Sequence, residues 1–258
     1  MIKILQAGVA KSGNYWLYQI LKELYKYNYE LSEINSFIKS VPEYNKLKKE
    51  ELSYKDQVNI DTVEINKNHT NLYVSSIFKR KITNLDEYVK KASIIWTHSE
   101  FNSGAKKLIA SVDKVIYIVR DPRDVFLSKI NFAFGNYSLK YLKKRTNKKN
   151  FRKNRVFSSS FRWTFHICRA ILFKKKYPNK IYFVFYENLL SNPTKEIKKL
   201  ADFLEFDLDY QYIKNIALKT SASFLRKEDS SHVSKTISLY KWKSKINEQE
   251  AKIIDIRS

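Results

Sequence analysis

Short apolar runs alternate with amphipathic stretches along most of the 258-residue chain. Ile2–Val9 is an apolar run broken only by Lys3 and Gln6, and it predicts a strand. Trp16–Tyr25 then repeats its apolar positions at helical spacing. The pairing recurs. Ala92–Thr97 and Lys114–Val119 read as short, β-branched strands. A helix begins at Pro122, and Lys180–Phe185 is a further strand followed by a helix over Thr194–Leu204. Runs of this length and composition suit strands buried on both faces. Four βα units, over 2–26, 92–111, 114–133 and 180–204, predict an α/β fold: a three-layer sandwich around a mostly parallel central sheet. Between them, Ser40–Tyr88 is polar and gives weaker signals, a helix over Leu47–Tyr54 and a strand over Asn71–Ile77. Phe161–Phe173 reads as a helix that buries Cys168. Gly and Pro number only four each. No Pro/Gly/Ser-rich linker or internal repeat divides the chain, which predicts one domain over residues 1–258.

The chemistry concentrates where strands give way to helices. Lys11-Ser12-Gly13-Asn14-Tyr15-Trp16 follows the first strand and opens the first helix. A strand, a short glycine-containing loop and a helix N-terminus together form an anion site. Unpaired backbone N–H groups point outward there, and the helix dipole adds positive potential. Lys11 adds a point charge, and Ser12 is a cap or a hydroxyl donor. The order Lys-Ser-Gly, with Gly8 the only upstream glycine, is not the Walker A pattern. After the strand Lys114–Val119 comes Arg120-Asp121-Pro122-Arg123-Asp124-Val125. Asp121 suits an N-cap and Pro122 the first helical position. Arg120 therefore sits at a strand's carboxyl end, where open α/β sheets bind ligands, and offers a planar fork to a phosphate. Ser128 follows two turns into the helix. His98 ends the strand Ala92–Thr97 on the same predicted sheet edge.

The first loop resembles the 5′-phosphosulfate loop of the sulfotransferases, enzymes that use 3′-phosphoadenosine-5′-phosphosulfate. The family loop reads Pro-Lys-Ser-Gly-Thr-Thr-Trp. This chain keeps Lys11, Ser12, Gly13 and Trp16, with Ala10 for the proline and Asn14-Tyr15 for the threonines. The string Ile118 to Val125 with Ser128 is similar to the family's 3′-phosphate motif, which implies that Arg120 and Ser128 grip that phosphate. Trp96-Thr97-His98 stands where the family has Lys-Thr-His, which implies a general-base role for His98 and leaves Trp96 in place of a lysine. Tyr186-Glu187-Asn188-Leu189 resembles the family's Tyr-Glu-Asp-Leu, implying that Tyr186 meets the adenine. Thr220-Ser221-Ala222-Ser223-Phe224 resembles its Thr-Ser-Phe adenine contact with two extra residues. Lys235–Trp242 lies where the family closes a loop over the 3′-phosphate. It keeps a basic residue, Lys235, and Trp242 but has none of the family's glycines.

The resemblance implies a P-loop-like fold and sulfuryl transfer to a hydroxyl or amine. The donor would be 3′-phosphoadenosine-5′-phosphosulfate and the product 3′-phosphoadenosine-5′-phosphate. Lys11 and His98 would be catalytic. Lys11, Ser12, Gly13, Asn14, Tyr15, Trp16, Arg120, Ser128, Tyr186, Thr220, Phe224 and Lys235 would bind the nucleotide. The four histidines are far apart in sequence and there is one cysteine, so no metal is expected.

The net charge of +23 draws polyanions to the surface and changes the partner question. The densest stretch, Lys140 to Arg155, contains no acid. It reads as a solvated face, or more sharply as a track for an anionic acceptor such as an acidic glycan. No apolar run approaches a membrane span, and the N-terminus does not read as a signal peptide. With a lone cysteine this predicts a cytoplasmic setting. Three other readings compete. A kinase-like phosphotransferase needs magnesium ligands, which the sequence does not offer. A basic nucleic-acid-binding protein would explain the charge, but no nucleic-acid-binding motif is present. A catalytically impaired nucleotide-binding relative fits Trp96 and the altered closing loop. The acceptor and the oligomeric state are open at this point.

Overall fold

The computed structural model describes residues 1–29, 36–50, 52, 54, 57–141, 147–228 and 239–257. Seven strands form one sheet: β1 Ile4–Gly8, β2 Asp61–Ile65, β3 Thr70–Val74, β4 Phe78–Lys81, β5 Ile94–Thr97, β6 Lys114–Val119 and β7 Ile181–Phe185. Their order is β4-β3-β2-β5-β1-β6-β7. The five strands from β2 to β7 in that order run parallel, and β3 and β4 extend the edge as antiparallel hairpins.

Parallel pairing puts Ile4 opposite Ile94 and Lys114, and Leu5 opposite Ile95 and Val115. Successive residues point to opposite faces. One face therefore gathers Leu5, Ala7, Ile95, Val115 and Tyr117 into one core, and the other gathers Ile4, Ile94, Ile116 and Ile118 into a second. Two cores on one sheet make the expected three layers.

The helices are α1 Asn14–Asn28, α2 Tyr44–Leu47, α3 Leu85–Lys91, α4 Ala105–Ser111, α5 Pro122–Ala133 and α6 Asn136–Tyr141. The long α7 spans Lys148–Lys176, and α8 Tyr186–Ser191, α9 Pro193–Phe203, α10 Tyr210–Lys219, α11 Ala222–Glu228 and α12 Glu248–Arg257 complete the fold. Leu17, Ile20, Leu21 and Leu24 of α1 are fully buried against the second core, which is why this apolar stripe folds as a helix.

Three local expectations need correction. The helix predicted over Leu47–Tyr54 is instead the single turn Tyr44–Leu47, with Lys48–Glu50 in turns and residues 51 and 53 outside the described set. Cys168 is exposed on α7, because the buried stripe of that helix runs through Val156, Ser160, His166 and Ala170. The basic stretch 140–155 is not one solvated face. Arg152 is bonded to Glu250 at 2.9 and 2.5 Å, while residues 142–146 lie outside the described set.

Candidate functional site

β5, β1 and β6 are neighbours at the centre of the sheet, so the segments leaving their carboxyl ends meet. The loop after β1 turns through Lys11 and Gly13, both at positive φ (76° and 98°). A lysine at such a φ is uncommon and marks a tightly determined backbone. Gly13 has a second reason to be glycine. A Cβ there would lie 2.5 Å from Cδ2 of the Tyr186 ring. The ladder of α1 starts with Leu17 N donating to Gly13 O at 3.0 Å, so the N–H groups ahead of it face out of the helix end. Ser12 is fully buried, and its Oγ has no hydrogen-bond partner. A buried, unsatisfied hydroxyl at a helix N-terminus is what an absent oxyanion would leave.

Asn14 differs from the simple expectation. Its Nδ2 donates back to Val9 O at 2.9 Å, and Gln6 Nε2 donates to Asn14 O at 2.6 Å. The Asn14 Nδ2 braces the loop, its Oδ1 is buried with no partner, and its backbone N–H lies ahead of the helix ladder. Tyr15 packs on Tyr54 at 4.9 Å between ring centroids, and Trp16 meets the Tyr186 ring edge-on at 5.6 Å.

His98 is fixed by the end of β5. Thr97 Oγ1 donates to Val63 O at 2.8 Å and accepts from Ser99 N at 3.0 Å, which turns the chain sharply. His98 Nδ1 then lies 3.0 Å from Gly8 O. A carbonyl only accepts, so Nδ1 carries the proton and Nε2 keeps its lone pair. Burial pushes the His98 pKa down to about 4. The Gly8 bond opposes this, and the charges of Lys11, His166 and Lys129 reinforce it. The imidazole is therefore neutral and basic at neutral pH. Trp96 is buried, edge-on to His98 at 5.4 Å, and stacks with Tyr18 and Tyr54 at 5.8 and 6.0 Å.

Arg120 lies on the other side of the loop. Its Nη1 donates to Lys11 O at 3.2 Å and its guanidinium sits 4.2 Å from the Tyr186 ring centroid. Its Nε is buried with no partner. Lys11 Nζ lies over the Phe132 ring at 4.5 Å. Burial, with the nearby Arg120 charge, lowers the Lys11 pKa to about 8. So Lys11, His98 and Arg120 share one cradle, linked through Gly8 O and Lys11 O. Ser128 is half-buried on α5. Asp121 caps α5 by accepting from Arg123 N at 2.8 Å.

Other expected residues are less closely tied to the cradle. The Thr220 hydroxyl donates to Ile216 O at 2.8 Å, which engages it in the end of α10. Phe224 is 43 % exposed on α11. Lys235 lies outside the described residues. Trp242 does dock near the site: its backbone N donates to Asp124 Oδ1 at 3.0 Å and its ring covers the Arg123 guanidinium at 3.7 Å. It brings Lys241, whose pKa is lowered by burial and by the Arg120 charge.

The sequence reading missed the contribution of α7. Trp163 Nε1 donates to Arg120 O at 3.0 Å, and His166 Nε2 donates to His98 O at 3.1 Å. One helix face thus holds two of the strand tips. The available signal was the three-residue spacing of Trp163 and His166, which places them on one face. Lys129, beside Ser128, was also missed. Among the described residues no cluster of three or more His, Cys, Asp or Glu is placed to hold a metal. No described helix is long and apolar enough to cross a membrane.

A mostly parallel sheet with a phosphate-type loop after β1, a strand-end histidine and a strand-end arginine defines an α/β protein with a cationic cradle at the carboxyl edge of its sheet. The sulfotransferase domain model matches residues 2–253, and the chain belongs to that family. It is 32 % identical to Sulfotransferase 2A1 of Rattus norvegicus over 153 residues, covering 58 % of this chain and 52 % of that protein. The chain spans about half the length of the curated relatives it matches. In three dimensions it resembles mouse sulfotransferase SULT7A1 complexed with PAP, with a TM-score of 0.63 and 16 % identity over 99 % of this chain and 81 % of that one. It also resembles retinol dehydratase in complex with androsterone and inactive cofactor PAP, with a TM-score of 0.64 and 15 % identity over 98 % and 78 % of the two chains.

Proposed function

We propose that this protein transfers the sulfuryl group of 3′-phosphoadenosine-5′-phosphosulfate to a hydroxyl-bearing acceptor, releasing 3′-phosphoadenosine-5′-phosphate. The observation that carries this reading is the shared cradle. Lys11, His98 and Arg120 leave three adjacent strand tips and are joined through Gly8 O and Lys11 O, with Ser12 Oγ and Arg120 Nε unsatisfied. The first turn of α1 and Ser12 would receive the 5′-phosphate. Arg120, with Ser128, would receive the 3′-phosphate. The rings of Trp16 and Tyr186 would flank the adenine, and Thr220 and Phe224 would complete that pocket by rearranging on binding. His98 Nε2 takes the acceptor proton as the acceptor oxygen bonds to sulfur, a contribution of ~10²–10⁴ in rate. Lys11 meets the negative charge that grows on the bridging oxygen as its bond to sulfur breaks. The acceptor would enter beside His98, over the segment Ser40–Tyr88. A cytoplasmic setting fits the donor and the single thiol.

Calorimetric titration tests the nucleotide site. The wild type should bind 3′-phosphoadenosine-5′-phosphate at least ~10-fold more tightly than AMP, since a charge-assisted bond is worth about 1.5–3 kcal/mol. Arg120→Ala should erase that preference while leaving AMP affinity nearly unchanged. Equal binding of the two nucleotides by the wild type would refute the role of Arg120. Radiolabelled donor incubated with a panel of acceptors then tests transfer itself.

A further inference from the structure

α5 and α7 pack against each other beside the cradle, and the two helices carry cations, Lys129 between them and Arg162 at their edge, that the reaction as described does not use. Lys129 follows Ser128 on α5 and stands one turn from Phe132, the ring over which Lys11 Nζ sits. It is therefore on the face of α5 turned towards the loop. Lys129 is half-buried, and its ammonium donates to Ser159 Oγ of α7 at 3.4 Å. One turn on from Ser159 lies Arg162, exposed at the edge of that helix face, and its charge lowers the Lys129 pKa behind the larger effect of burial. A further turn brings His166, bonded to His98 O. Lys129 in turn acts electrostatically on both His98 and His166. Glu100 acts on His166, but no carboxylate acts on Lys129. Among the described residues neither Lys129 nor Arg162 has a carboxylate partner.

Two like charges held near each other, one of them partly desolvated, are unfavourable unless an anion joins them. The geometry points to an acceptor-side anion subsite formed by Lys129, Arg162 and the Ser159 hydroxyl, which selects acceptors bearing a carboxylate, sulfate or phosphate near the hydroxyl presented to His98. The inference rests on the function proposed above and deepens it, since it names the acceptor class. Lys129 neighbours Ser128, and its charge reaches His98 together with that of Lys11, so the subsite is to be probed with the nucleotide site already filled.

A matched pair of probes tests the subsite without requiring turnover. p-Nitrophenyl β-glucuronide and p-nitrophenyl β-glucoside differ by one carboxylate. Each is titrated into protein saturated with 3′-phosphoadenosine-5′-phosphate, which blocks the nucleotide site. The wild type should bind the glucuronide about tenfold more tightly, the worth of a charge-assisted contact. Lys129→Gln and Arg162→Gln should each lower that ratio towards one, with affinity for 3′-phosphoadenosine-5′-phosphate unchanged. A wild-type ratio near one, or a ratio that both variants leave intact, overturns the subsite. Failure of the wild type to bind the bisphosphate overturns instead the proposed function on which it rests.

Discussion

At the residue scale, the proposed activity would be set by two groups whose protonation has been moved in useful directions. His98 is held down to about 4, first by burial, so the proposed base is already free of its proton well below neutral pH. Lys11 is lowered to about 8, first by burial and then by Arg120, so its positive charge is lost in mildly alkaline solution. The free-enzyme profile, kcat/KM against pH, follows from these values. It should be flat from about pH 5 to pH 7, with no inflection near the ordinary histidine value of ~6.5. It should then fall as pH rises through about 8. Lys11→Arg keeps its charge across this range, so whatever activity remains should lack the alkaline fall. The stability sign is opposite. The unfolded lysine keeps its proton up to 10.5 while the folded one loses it near 8, so the unfolded chain binds more protons in that window. Lys11 therefore makes the ligand-free protein more stable as pH rises from 8 to 10.5. A profile with an acid limb centred near 6.5 would show that His98 is not held as described.

At the element scale, the sequence was most legible where pattern and chemistry agree. β1, β5, β6 and β7 are short apolar runs, and each predicted range overlaps the observed strand. Pro122 and Asp121 mark the start of α5. β2 escaped because Asp61-Thr62-Val63-Glu64-Ile65 looks half-polar. Asp61 is nonetheless buried, and it is satisfied by the N–H groups of Phe37 and Ile38 at 2.8 Å each. No local pattern announces a partner more than 20 residues away. Trp163 and His166 were hidden for the same reason: their bonds to Arg120 O and His98 O exist only after α7 has packed on the sheet. α12 is held to α7 in the same long-range way. Arg152 makes two bonds to Glu250, whose side chain is only 9 % exposed, and a third to Lys245 O at 3.0 Å. Arg152→Met should strand that carboxylate and cost about 1–3 kcal/mol in urea unfolding, discounted for the partial exposure of the arginine. Adding Glu250→Leu should recover most of the loss, because the pair is replaced by packed apolar surface. If Arg152→Met unfolds at the wild-type urea concentration, the latch contributes nothing.

At the scale of the whole molecule, the question is what a net charge of +23 adds to a cradle that already holds two cations, Lys11 and Arg120. The net charge and the cradle act over different ranges. The cradle's contacts, Arg120 to Lys11 O and to the Tyr186 ring, are partly shielded from water, and counter-ions screen them weakly. The surplus charge is spread over exposed lysines and arginines such as Lys153, Arg155, Lys175 and Lys176. Its attraction for a polyanion reaches only about one Debye length, ~8 Å at 0.15 M salt. Surplus charge should therefore govern encounter, and the cradle should govern residence. Stopped-flow binding of 3′-phosphoadenosine-5′-phosphate separates them. Raising salt from about 0.02 M to about 0.5 M should slow association at least ~10-fold and change dissociation less than ~3-fold. Arg120→Ala should do the reverse, accelerating dissociation and leaving the salt dependence of association nearly as it was. If salt instead accelerated dissociation as strongly as it slowed association, the cradle would be solvated and screened like the rest of the surface. The buried, unsatisfied Ser12 and Arg120 atoms would then not be the groups that hold the nucleotide.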